Sequence, residues 1–181
     1  MRRHRSLRAL LFVFAGAVAA TAAFAQREAS EASVKAAFLY KFANYIEWPA
    51  NAFAGPAAPL VIGVEGADEV AGELERLAPG RSVNGHPLAV KRLKEGESAR
   101  GIHILFIGKE KATAAAVRAT HQEGALTVTE GERGLETGSA INFVTVGERV
   151  GFEVSLDAAE KSGHRISSRM LTVARRVVPK T

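Results

Sequence analysis

The sequence predicts an α/β fold with a single domain, in which helices sandwich a mixed β-sheet. The apolar run at 102–107 leads through a helical segment at 109–122 into a second β-rich run at 125–129. Strand, helix and strand in that order are typical of a parallel sheet. Hairpin signals at Asn84-Gly85 and at 147–149 add antiparallel strands, which is why the predicted sheet is mixed.

An amphipathic helix is predicted from Ser30 to Trp48, because apolar residues recur there at steps of three and four and Pro49 stops the pattern. The apolar stripe consists of Val34, Ala37, Phe38, Phe42, Tyr45 and Ile46. We expect Phe38, Phe42 and Trp48 to be buried against the sheet.

The middle of the chain supplies most of the predicted sheet. A short β-branched run at 60–64 is typical of a buried strand, and an amphipathic helix follows at 67–78. Strands at 81–83 and 88–93 flank the first hairpin turn. The run at 102–107 is apolar on both faces, which predicts a central strand.

The last third predicts a second hairpin and two helices. Strands at 140–146 and 150–156 flank the turn. Asp157 is predicted to cap a helix that runs to Ser162. Ser167 or Ser168 is predicted to cap a final helix that ends near Arg176.

The first 25 residues have the pattern of a secretory signal peptide. A basic segment at 1–8 precedes an apolar run at 9–23, and Ala23-Phe24-Ala25 is a site that signal peptidase reads. We expect cleavage before Gln26, a mature domain over 26–181, and a soluble protein in the periplasm. No later segment is apolar for long enough to span a bilayer, so we expect no direct membrane insertion after cleavage.

Composition excludes several classes of function. Four of the 24 basic residues lie in the predicted signal, which leaves 20 basic and 19 acidic residues in the rest of the chain. A nearly neutral domain lacks the clustered basic surface that nucleic-acid binding needs. The chain has no cysteine, which excludes thiol catalysis, thiolate metal sites and disulfides.

No set of residues predicts catalysis or a cofactor. The histidines, at 4, 86, 103, 121 and 164, lack the close spacing of zinc motifs. The glycine-rich stretch at 131–138 lacks the spacing of a phosphate loop, and no nucleophile elbow is present. We therefore expect no enzyme and no metal, and keep a hydrolase as a remote alternative. His103 is expected to be a hydrogen-bonded core residue and His86 to be solvated.

The stretch 162–169 is the best candidate for a ligand site. His164, Arg165 and Ser168 stand around a loop that opens a predicted helix, where anions are favoured. Capping explains the serines without a ligand. Glu153 could turn toward a groove, or it could pair with a basic residue on a neighbouring strand.

Four blocks of sequence resemble the YfiR family. They read VKAAFLYKFANYIEWP at 34–49, INFV at 141–144, VGFEVSLDAA at 150–159 and ISSRML at 166–171. The blocks lie in the family's order and extend over nearly all of the predicted mature chain. The first and third are the most specific.

The resemblance implies a periplasmic α/β protein that regulates by binding. The member that gives the family its name binds the periplasmic domain of an inner-membrane diguanylate cyclase and represses cyclic di-GMP synthesis, with effects on biofilm and motility. Its disulfides have no counterpart here, so redox control by disulfide switching does not transfer. Candidate partner-binding residues are Phe152, Glu153, Ile166 and Arg169, each of which could equally be a core or capping residue. A small-molecule anion sensor stays open as an alternative function, and a homodimer as an alternative assembly.

Overall fold

The structure is a computed structural model that describes residues 31–180. The predicted signal segment 1–25 and its cleavage site lie outside the described residues.

Helices and strands alternate along most of the described chain. In order they are α1 (31–45), β1 (Ile46–Glu47), β2 (Leu60–Glu65), α2 (Asp68–Leu77), β3 (Ser82–Val83), β4 (His86–Leu93), β5 (Ile104–Ile107), α3 (Ala114–Gln122), β6 (Leu126–Glu130), β7 (Ile141–Val146), β8 (Arg149–Ser155), α4 (Leu156–Lys161), β9 (Arg165–Ile166), α5 (Ser168–Leu171) and β10 (Arg176–Val178). A 3₁₀ turn at Leu135–Thr137 lies between β6 and β7.

Eight strands form one mixed sheet in the order β10-β8-β7-β6-β5-β2-β4-β3. The strands from β4 to β7 run parallel to their neighbours, whereas β7–β8 and β3–β4 are antiparallel hairpins. The predicted α/β class, the central position of β5 and both hairpins are confirmed. Asn84 and Gly85 both have positive φ, as a two-residue type I′ turn requires.

The two faces of the sheet carry separate apolar cores. The larger core contains the buried side chains of α1, α2, α4 and α5, which pack on one face. Val117 of α3 packs with Leu105 and Ile107 on the opposite face. A sheet with helices on both faces is the architecture that the sequence predicts.

The buried face of α1 differs from the predicted stripe. Val34 and Tyr45 are exposed by 40% and 39%, and Phe38 and Trp48 are only half-buried. The innermost positions are Ala32, Ala36, Leu39, Phe42 and Ala43. Alanine side chains let the helix backbone approach the sheet closely, so small residues occupy the centre of the contact. The helix also ends at residue 45, because residues 46–47 pair with β9.

Five phenylalanine rings link α1 to the sheet. Phe42 lies 4.8 Å from Phe152 and 5.7 Å from Phe143, measured between ring centroids. Phe38 stacks on Phe42 at 5.8 Å, and Phe106 meets Phe143 edge-on at 5.8 Å. These contacts cross α1, β5, β7 and β8, so the cluster joins elements that are distant in sequence.

The C-terminal helices differ from the prediction. Ser155, not Asp157, caps α4, since its hydroxyl accepts a hydrogen bond from the Ala158 amide at 3.2 Å. Ser167 caps a short α5 that ends at Leu171. Arg176, predicted in that helix, lies in β10, where the backbone pairs with β8.

The α4 cap is directly testable. Ser155→Ala is expected to lower the free energy of unfolding by about 1 kcal/mol, because the first turn of α4 loses a hydrogen-bond acceptor. Asp157→Asn is the matched control, since Asp157 lies within the helix and pairs with Lys161 on an exposed surface. Urea unfolding of both variants would contradict the assignment if Asp157→Asn were the more costly change.

Candidate functional site

The strongest candidate for a functional surface is the C-terminal segment, residues 162–178. It leaves α4 at Gly163, whose φ of 81° makes the turn. Ile166 and Arg165 then pair with Ile46 and Glu47, and the Ser167 amide donates to the Tyr45 carbonyl at 2.8 Å. Beyond α5, β10 pairs with β8 and forms the outermost strand on that side of the sheet. The segment is thus held by the C-terminal end of α1 and by one edge of the sheet.

Glu153 takes part in a cross-strand ion pair. Its carboxylate accepts hydrogen bonds from Arg176 Nε at 2.9 Å and from a terminal nitrogen of the same guanidinium at 3.1 Å. This geometry matches the pairing that the sequence offered for Glu153. Arg176 in turn has a raised pKa because of the hydrogen bonds to Glu153. The pair holds β10 on β8.

The four predicted partner-binding residues occupy different environments. Phe152 is 2% exposed within the phenylalanine cluster, so it is a core residue and offers no surface to a partner. Glu153 and Ile166 are half-buried, and Arg169 is exposed on α5. Phe152 points inward because β8 alternates, which places Glu153 on the opposite face. Ile166 and Arg169 are therefore the accessible members near the C-terminal end of α1.

The three predicted ligand residues do not share one surface. Arg165 and Ser168 are exposed, whereas His164 is 2% exposed and faces the interior. His164 Nδ1 lies 3.1 Å from the Ser162 hydroxyl. The α5 helix has a single turn, too short for a strong dipole at its start. His164 is therefore not accessible to an anion at the surface that exposes Arg165 and Ser168.

Sequence analysis missed a stack of rings at the amino ends of β2 and β5. Phe53 stacks between His86 and His103, with centroids 3.6 Å and 4.6 Å away. Trp48 meets His103 and His164 edge-on at 5.6 Å and 5.2 Å. The stack therefore joins the 48–59 loop, β4, β5 and the C-terminal segment.

Each imidazole of the stack has a hydrogen-bonded position. His103 is 8% exposed, accepts from the Val61 amide at 3.1 Å and lies 3.1 Å from the Ala52 carbonyl. The prediction of a hydrogen-bonded core histidine is confirmed. His86, expected to be solvated, is half-buried because Phe53 covers its ring and the Ala58 carbonyl lies 2.7 Å from Nδ1.

Burial depresses the basicity of two of these histidines. It lowers the pKa of His164 to about 4, with a smaller contribution from the neighbouring His103 and His121. Burial also lowers the pKa of His103, against the opposing effect of the Ala52 carbonyl. Both rings are therefore neutral at neutral pH.

Residues 31–180 contain no group of three or more His, Cys, Asp or Glu side chains placed to hold a metal ion.

A crevice lies at the carboxyl ends of the parallel strands, on the opposite side of the fold from the ring stack. The chain leaves β2 toward one face and β5 toward the other, which makes a topological switch point where ligands often bind. Glu31, Asp68, Glu69 and Glu130 line this crevice against Lys35. Four carboxylates and one ammonium group disfavour an anion there.

The family assignment rests on most of the chain. A family model described as YfiR/HmsC-like matches residues 32–175. The chain belongs to the YfiR/HmsC-like family. The match spans α1, the whole main sheet up to β8, and α5, so it includes both the ring stack and Arg169. No curated protein matched the chain in a separate comparison.

The YfiR/HmsC-like assignment agrees with the blocks that the sequence analysis identified. All four blocks overlap the matched residues. Among residues 31–180, no helix is both long and apolar enough to cross a membrane.

Proposed function

We propose that this YfiR/HmsC-like protein is a periplasmic regulatory binding protein. It represses an inner-membrane diguanylate cyclase by contact with the cyclase's periplasmic domain, and so lowers cyclic di-GMP signalling and affects biofilm formation. The family assignment carries this proposal. Regulation by contact needs a recognition surface and no chemical step, so we also propose that the protein is not an enzyme and uses no cofactor.

The exposed side of the C-terminal segment supports a contact role. Arg165 and Arg169 are exposed, and neither forms an ion pair within the described part of the chain. Val173 is 68% exposed on the same segment. Arginine is enriched in protein interfaces, because its guanidinium forms paired hydrogen bonds with carboxylates and also packs on apolar groups. Ile166, half-buried beside them, supplies an apolar contact at the edge.

A partner-capture experiment tests this proposal. The tagged full chain, exported and purified from a Gram-negative host, would be incubated with the periplasmic domains of the host's membrane cyclases. We expect one cyclase domain to be captured, and Arg169→Glu to weaken its capture at least about tenfold, the effect of losing roughly 1.4 kcal/mol at an interface. Ile166→Ala should weaken it less, since part of that side chain packs on the core.

The control variant is Arg118→Glu. Arg118 is exposed on α3, on the face of the sheet opposite α1, and the substitution makes the same change in charge. Equal weakening by Arg118→Glu and Arg169→Glu would indicate a general charge effect and remove the C-terminal segment from the contact. Capture of no cyclase domain would contradict the repressor proposal itself.

A small-molecule anion sensor is the second candidate function, favoured by the exposed Arg165 and Ser168. A ligand that binds only the folded protein raises its melting temperature. A thermal-shift panel of anionic metabolites, repeated on Arg165→Gln, would separate this sensor from the repressor.

A further inference from the structure

The ring stack connects the proposed partner surface to ionisable groups that water does not reach. His164 lies near the start of the C-terminal segment, two residues before Ile166, and its ring contacts Trp48. Trp48 contacts His103, and His103 contacts Phe53. The position of the segment therefore depends on neutral rings packed beneath it.

The hydrogen bonds of the stack fit neutral imidazoles. The Val61 amide can only donate, so His103 Nδ1 must accept and Nε2–H donates to the Ala52 carbonyl. A proton on Nδ1 would therefore break the bond to Val61. The Ser162 hydroxyl donates to the Ala159 carbonyl at 2.9 Å, which leaves its oxygen to accept from His164 Nδ1–H. A further proton on His164 would create a buried cation.

No carboxylate of residues 31–180 is among the groups that shift the pKa of His164. The charged or titratable groups acting on His164 are His103, directly before β5, and His121 from α3. His86 of β4 acts on His103, and Lys161 of α4 acts on His121. The 48–59 loop contributes the uncharged rings of Trp48 and Phe53. All of these ionisable neighbours are basic, so a proton on one imidazole repels a proton on the next.

We propose that the ring stack is an acid-sensitive latch, in which protonation of His164 and then of His103 releases the C-terminal segment and withdraws the partner surface. This regulatory role rests on the proposed contact function of that surface. The latch itself is a property of the protein alone. It makes mild acid a signal that relieves repression.

The direction of the pH effect follows from linkage. The pKa of His164 lies at about 4 in the closed state and near its ordinary value of 6.5 once the ring is exposed. The open state therefore binds a proton first as the pH falls. The closed state has its full stability relative to the open state above pH 6.5. This stability falls as the pH falls from 6.5 to about 4, and protonation of His164 removes no more of it below that range.

Two measurements on the full chain test the latch. Trp48 is the sole tryptophan, so its fluorescence reports on the stack without interference. Hydrogen exchange of residues 162–178, corrected for intrinsic rates, reports on release. Between about pH 7.5 and pH 5, we expect protection of the segment to fall roughly thirtyfold from His164 alone, while β5 stays protected.

Neutral variants give the decisive comparison. His103→Gln can keep both hydrogen bonds of His103, and His164→Gln can still donate to Ser162. His164→Gln should keep most of the segment's protection at about pH 5 and leave the fluorescence close to its value at about pH 7.5. His103→Gln retains His164 and should still lose the roughly thirtyfold protection that comes from that ring. Far-UV circular dichroism and melting at about pH 7.5 establish that each variant is folded. If a variant does not fold, the wild-type exchange profile still decides between latch and no latch.

The outcomes separate the latch from the contact function. Unchanged protection of residues 162–178 in the wild type at about pH 5, or a loss in folded His164→Gln as large as that of the wild type, would overturn the latch. Capture of a cyclase domain at about pH 7.5 that is lost at about pH 5, and retained by His164→Gln, would support both proposals. Segment release without capture at either pH would support the latch and count against the contact function.

Discussion

Phe42→Ala is expected to lower the free energy of unfolding by about 3–5 kcal/mol. Phe42 is 1% exposed and touches Phe38, Phe143 and Phe152. Truncation removes the transfer free energy of the ring and leaves a cavity between α1 and the sheet. The rings around it belong to three different elements, α1, β7 and β8, which limits their ability to collapse into the space.

Urea unfolding followed by far-UV circular dichroism would measure this loss. The matched control is Tyr45→Ala, an aromatic truncation on the same helix at a side chain that is 39% exposed. We expect the control to cost less than about 1 kcal/mol. Similar losses for the two variants would mean that α1 is not anchored through the phenylalanine cluster.

The elements that the sequence predicts well are those with strong local signals. The β-branched runs at β2, β5 and β6 and the Asn84-Gly85 turn are each recognisable within a few residues. The face of α1 was predicted less well, because the stripe was weighted toward large side chains. Packing at the centre of the sheet instead selected Ala36 and Ala43, where close approach matters more than side-chain area.

The sequence does not predict the strands β1, β9 and β10. They are only two or three residues long, so no periodicity can develop within them. Ser167 and Ser168 favour a helix cap, so the sequence predicts a helix that ends near Arg176. The observed position of Arg176 depends instead on the pairing of β10 with β8. Long-range pairing of this kind leaves no local signal.

The sequence does not predict the depth of each candidate site residue. Arg165 and Arg169 are exposed, whereas alternation along the chain buries His164. The ring stack joins residues between 48 and 164, so its members are neighbours only after the chain has folded. Scattered histidines exclude a zinc motif, but they do not exclude a cluster.

Lys35→Met is expected to lower the free energy of unfolding by about 2 kcal/mol. Lys35 is 9% exposed, and its ammonium group bridges Glu31 at 2.8 Å and Glu130, which ends β6. Burial pushes the pKa of Lys35 down, but hydrogen bonds to Glu130 and Glu31 outweigh it, and the pKa lies above its ordinary value. Methionine keeps the apolar stem but leaves the half-buried Glu130 without its cation, and removal of one partner of a buried pair costs more than the pair contributes.

A double variant separates the lost pair from lost packing. Lys35→Met combined with Glu130→Gln should recover most of the loss, since no half-buried carboxylate is then left unpaired. Lys161→Met is the matched control, because Lys161 and Asp157 form an i,i+4 pair of similar length with the lysine 68% exposed. That change should cost less than about 1 kcal/mol. Equal losses in the two lysine variants would show that burial does not strengthen the Lys35 pair. A larger loss at Lys35 would show that this buried pair ties the first turns of α1 to the carboxyl end of β6.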